Sequence, residues 1–96
     1  MEKDCNSLPT HSVTLDVLND LGIHARVAAR IAATVQQYDC ELMLQKDHIQ
    51  VEGDSVLSIL TLDAPKGTTL LAQACGPQAR EALNALKTLF DSRFGD

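Results

Sequence analysis

Tryptophan is absent from this chain, and Tyr38, Phe90 and Phe94 are its only aromatic residues. A core must therefore be built from aliphatic side chains, and no platform of exposed rings exists on which nucleic-acid bases could stack. Positive charge is also scarce: eight Lys and Arg face thirteen Asp and Glu, for a net charge of −5, with no basic stripe. Nucleic acid is thereby excluded as a direct partner. There is no C-x-x-C pair. Cys5, Cys40 and Cys75 are odd in number, widely spaced and without a histidine at zinc-ligand spacing, so they read as reduced thiols and no metal site is expected. No apolar run reaches membrane-spanning length, and the polar start, Met1 to Thr10, lacks a signal-peptide core, which points to the cytoplasm without membrane insertion.

What remains is enough for one domain of 96 residues. Residues 1–11 are expected to form a flexible N-terminal tail, 12–92 the domain and 93–96 a C-terminal tail. Val13, Leu15 and Val17 alternate with polar residues, the period of a half-buried strand. Ala28, Ile31, Ala32 and Val35 then recur on one face of a helix running from Ala25 to about Gln37. Alternation returns over Glu41 to Lys46 and again at Ile49 and Val51, with Asp47-His48 as the hairpin turn between them. Ser55 is placed to cap a short helix containing Val56, Leu57, Ile59, Leu60 and Leu62. With Ile59 and Leu62 facing inward, Val56, Leu57 and Leu60 lie partly outside and offer a docking surface; the alternative is that all five are core. Thr69 to Cys75 has strand composition. Pro77 opens a last helix whose apolar stripe is Ala79, Ala82, Leu83, Leu86 and Phe90. The order βαββαβα predicts an α+β fold, with a four-stranded, mainly antiparallel sheet covered by helices on one face and open on the other.

The run Gly22-Ile23-His24-Ala25-Arg26 carries the chemistry. It seats His24 at the N-cap of the first helix, where unpaired N–H groups, the positive end of the dipole and Arg26 all favour an anion. A neutral imidazole nitrogen there is also a nucleophile that could accept a phosphoryl group. The plainer alternative makes His24 a cap and Arg26 a solvated surface charge. His11 and His48 have no ligand-spaced partner and read as structural or incidental.

The segment GIHARVAARI, followed at the family's distance by GDSVLSILTLDAPKG, resembles HPr, the histidine-containing phosphocarrier of the bacterial sugar phosphotransferase system, from about Ser12 to Phe90. The resemblance implies an open-faced β-sandwich in which Enzyme I phosphorylates a histidine and Enzyme IIA domains receive the group. His24 matches the acceptor, with Nδ1 the attacking nitrogen. Backbone N–H groups of Ala25 and Arg26 would hold the phosphoryl oxygens while the Arg26 guanidinium offsets their charge. Ser55 matches the serine that an HPr kinase/phosphorylase modifies in some bacteria. Ala25, Ala29, Val56, Leu57 and Leu60 would form the docking surface. No cofactor is implied, and a monomer suits a diffusing carrier. Such a protein is a phosphoryl-transfer intermediate rather than an independent enzyme, consistent with the lack of a phosphate-binding nucleotide loop.

Two departures stand out. Val27 follows the arginine where the family commonly has proline, which adds an N–H donor and loosens the first turn. Ala33, Gln36, Asp54 and Ser58 occupy places where family members can carry basic residues. A regulatory paralogue of nitrogen or co-repressor type, and a non-catalytic α+β regulatory module that keeps His24 as a cap, remain alternative functions.

Overall fold

The computed structural model describes residues 9–95. The order is β1 (Thr10–Asp16), α1 (Ala25–Gln36), β2 (Glu41–Lys46), β3 (Ile49–Glu52), α2 (Val56–Leu60), β4 (Thr69–Cys75) and α3 (Ala79–Asp91), closed by a 3-10 turn at Arg93–Gly95. The strands form one antiparallel sheet in the order β1-β4-β2-β3. This is the expected βαββαβα sandwich.

Register follows from burial. Leu15 pairs with Leu70, and Val13 and Leu44 flank Ala72 across β4, so the apolar residues of three strands share one row facing the helices. A one-residue slip would turn that row to solvent, which the burial of Leu15, Leu44, Leu70 and Ala72 forbids. The alternate residues Ser12, Thr14, Gln73, Met43 and Gln45 lie on the uncovered face. α3 packs on β1 and β4, while α1 packs against α3 and α2. The buried stripe of α1 is Val27, Ala28, Ile31, Ala32 and Val35, and that of α3 is Ala79, Ala82, Leu83, Leu86 and Phe90. The β2–β3 hairpin turns where the sequence places it. Lys46 pairs with Ile49, and Asp47 takes φ 54°, a left-handed value that aspartate tolerates.

The ends differ from the sequence expectation. β1 already starts at Thr10, inside the stretch expected as tail, and Phe94 is buried beneath the C-terminal turn. Most of the expected N-terminal tail, including Cys5, lies outside the described residues. Cys40 is buried. Cys75, at the far end of β4, is disulfide-bonded, contrary to the reading of reduced thiols. No helix among the described residues is long and apolar enough to cross a membrane.

Candidate functional site

The loop from β1 into α1 is braced by the segment that follows α2. Val17 donates to Thr68 O at 2.9 Å and accepts from Gly67 N at 2.9 Å, and Ile23 N donates to Ala64 O at 2.9 Å. Between them the chain reverses through Gly22 at φ 66°. A Cβ there would stand 2.6 Å from Ala64 O and 2.8 Å from Pro65 Cα, so only glycine allows the two loops to touch. Asn19 is the one buried polar residue in the described chain. Its Nδ2 donates to Gly22 O at 2.6 Å, tying the turn from inside.

The result is a fixed seat for His24. Its backbone is extended, at φ −106° and ψ −176°, and its carbonyl accepts the first helical bond from Ala28 N at 2.8 Å. The side chain makes no capping hydrogen bond, so the backbone of His24 serves as the cap while the imidazole is left for other work. Nε2 is buried without a hydrogen-bond partner. Nδ1, neither buried in that way nor hydrogen-bonded, is the ring nitrogen that solvent can reach. Ala25 and Arg26 are exposed directly after it, and no acidic residue occupies the first turn of α1 to compete for its N–H groups.

Beside this seat lies a surface cavity of about 370 Å³ lined by Leu18, Asn19, Asp20, Leu21, Arg26 and Arg93. It is walled by two guanidinium-bearing residues, and the buried Asn19 Oδ1 has no partner. Asp20 turns outward, where Lys66 Nζ bonds its carboxylate at 2.8 Å. That hydrogen bond first, then the charge of Lys66, and more weakly that of Arg93, hold the Asp20 carboxyl below its ordinary value.

α2 runs back along α1. Gln36 Nε2 donates to Asp54 O at 2.9 Å near one end, and the Ile23–Ala64 bond closes the other. Ser55 caps α2, its Oγ accepting from Ser58 N at 3.3 Å. Ile59 and Leu62 are buried, Leu57 is 77% exposed, and Val56 and Leu60 are half-buried against the core, the split expected from the sequence. Ala25 and Ala29 are exposed one turn apart on α1, which packs against α2. Ser55 does not join the His24 cluster: it sits by the C-terminal end of α1, about 18 Å of helix away. His48 is exposed at the hairpin turn and His11 lies within β1. Among the described residues no group of histidine, cysteine and carboxylate side chains could hold a metal ion. Sequence reasoning missed Asn19, whose place in a turn was visible but whose burial was not, and Arg93, which it left in a tail.

Comparison with known proteins identifies the family and the fold. The family model described as the PTS HPr component phosphorylation site matches residues 11–92. Phosphocarrier protein NPr of Escherichia coli is 39% identical over 84 residues, covering 86% of this chain and 93% of the relative. Phosphocarrier protein HPr of Pseudomonas aeruginosa is 35% identical over 86 residues, covering 88% and 96%. The crystal structure of HPr-C-His from Thermoanaerobacter tengcongensis superposes with a TM-score of 0.86 at 31% identity, covering 90% of this chain and 97% of that one. A four-stranded open sheet with a histidine at the exposed start of its first helix is, in this company, a phosphoryl carrier. The chain belongs to the HPr family, the phosphocarriers of the phosphotransferase system, and its partners are components of that system.

Proposed function

We propose that His24 is the phosphoryl acceptor, taking the group at Nδ1 from Enzyme I and passing it to Enzyme IIA domains in sugar uptake and its regulation. The observation that carries this reading is the imidazole itself. It sits at the start of α1, makes no capping bond, and has one nitrogen buried and the other open. In transfer, the bond from phosphorus to the donor's histidine nitrogen breaks as the bond to Nδ1 forms, in line, so the protein contributes positioning and charge. The N–H groups of Ala25 and Arg26 receive phosphoryl oxygens, and the Arg26 guanidinium offsets their charge. Stabilisation must stay moderate, since a carrier that held the group too well would not donate it.

Ala25 and Ala29 on α1, with Val56, Leu57 and Leu60 on α2, form the docking surface for both partners. Ser55 is a regulatory site for an HPr kinase/phosphorylase. A phosphate at an N-cap suits the helix, so its effect falls on docking to an acidic partner rather than on folding. The carrier works as a cytoplasmic monomer; thiol buffering there would open the Cys75 disulfide. A second reading, a nitrogen-type regulatory paralogue, draws on the NPr name of the 39%-identical relative.

The test is transfer from phosphoenolpyruvate through Enzyme I, with phosphate on the protein followed by intact mass. The wild type should gain one acid-labile phosphate and His24→Ala none. A folded wild type that stays unphosphorylated beside an Enzyme I active on another carrier would overturn the assignment. Presenting the phosphorylated protein to sugar-specific and nitrogen-type IIA domains separates the two readings.

A further inference from the structure

The C-terminal residues adopt a conformation that most residues avoid. Arg93, Phe94 and Gly95 have φ of 57°, 56° and 80°, three successive left-handed residues of which two carry side chains. Such strain persists only where the surroundings hold it. Here two contacts do so. The Phe94 ring, 1% exposed, meets Phe90 edge to face at a centroid distance of 4.8 Å and 63°. The Phe94 carbonyl accepts a hydrogen bond from Arg30 Nη1 at 2.7 Å. Arg30 follows Arg26 by one turn of α1, so the hook is bound to the helix that His24 starts.

What the hook delivers is Arg93. Its exposed side chain lines the same cavity as Arg26, next to the start of α1. Two cations are thereby gathered on one cavity. Asp20 is the sole carboxylate among the described lining residues, and its hydrogen bond goes to Lys66, with Arg93 acting on it more weakly through its charge. A phosphoryl group on a histidine carries up to two negative charges, more than one guanidinium offsets. We propose that Arg93 is a second cation of the phosphoryl site, closing with Arg26 on the group carried at His24. The assignment rests on the phosphocarrier reading of His24. It gives the hook a purpose: the strained turn holds a guanidinium on the cavity that Arg26 also lines. Arginine rather than lysine suits the place, because its fork can meet two phosphoryl oxygens at once.

The experiment compares wild type, Arg93→Gln and Arg93→Lys. Enzyme I kinetics are measured on each, inorganic phosphate is titrated into the unphosphorylated proteins while the Ala25 and Arg26 amides are followed by NMR, and melting temperature reports on the fold. Arg93→Gln should lower kcat/KM for phosphorylation about tenfold and weaken phosphate binding severalfold at unchanged melting temperature, with Arg93→Lys recovering part of both. Arg93→Gln that accepts phosphate and binds the anion as well as a phosphorylatable wild type overturns the role of Arg93 and leaves His24 standing. A wild type that is never phosphorylated at His24 overturns both.

Discussion

Alanine at two glycines of positive φ tests how tight the loop contact that seats His24 is. Gly22 and Gly67 have φ of 66° and 94°, so alanine strains the backbone at both, by about 1–2 kcal/mol. They differ in space. At Gly67 a Cβ meets nothing within 4 Å, whereas at Gly22 it lies 2.6 Å from Ala64 O and 2.8 Å from Pro65 Cα. Both of those atoms are backbone and cannot rotate away, so the loop must shift, an overpacking penalty of about 1–3 kcal/mol. The shift stretches the 2.9 Å bond from Ile23 N to Ala64 O, a loss of about 1 kcal/mol. Gly22→Ala should therefore destabilise by about 4 kcal/mol and Gly67→Ala by about 1–2. Urea titrations read the difference, with unchanged slope showing that both unfold as the wild type does. Gly22→Ala should also slow phosphorylation, by roughly 10- to 100-fold, because His24 follows the displaced residue by two positions. Equal destabilisation of the two variants, within about 0.5 kcal/mol, would refute the reasoning.

Ser55→Ala should lower stability by about 1 kcal/mol through the lost cap, while Ser55→Asp, which can still cap, keeps stability and raises the KM of Enzyme I. Urea melts and transfer kinetics on the pair separate the two roles. Leu57→Ser should leave stability within about 0.5 kcal/mol and raise the Enzyme I KM about 5- to 10-fold, since an exposed side chain contributes to docking rather than folding. Lys66→Met should return the Asp20 carboxyl toward its ordinary value, seen by NMR titration. Because the folded carboxyl is lowered, the contribution of the pair is complete above the ordinary aspartate range and fades as pH falls through the lowered value, and the variant should lose that dependence. Reducing the Cys75 disulfide should leave phosphorylation unchanged: Cys75 pairs with Thr10, whereas the opposite end of β4, at Thr69, pairs with Asp16 next to the His24 loop.

The sheet and its helices were legible because alternation and helical period agree with burial residue by residue: Leu15, Leu42, Leu44 and Ile31 are where those periods put them. The seat of His24 was legible because glycine before a helix start and the loss of alternation after Val17 mark a turn. The exposure of Leu57 followed from the geometry of a five-residue helix, which cannot bury all its apolar residues on one side. Asn19 was hidden because nothing local distinguishes an asparagine bonding outward to water from one folded inward under Gly22. The C-terminal hook was hidden for a different reason. Left-handed φ at an arginine and a phenylalanine runs against local preference, and it is imposed by contacts with Phe90 and Arg30, the latter more than sixty positions away along the chain.

The burial of His24 Nε2 has a kinetic corollary. On the proposed role of His24, an imidazole that presents one nitrogen through one opening meets one protein at a time, so donor and receiver would compete for the same approach and form no ternary complex around the ring. Flux then depends on how quickly each complex falls apart, and a tightly held partner would throttle the relay as surely as a missing one. The exposed apolar residues of the proposed docking surface are small residues and Leu57, with Leu21 exposed beside His24, a patch suited to brief encounters rather than long residence.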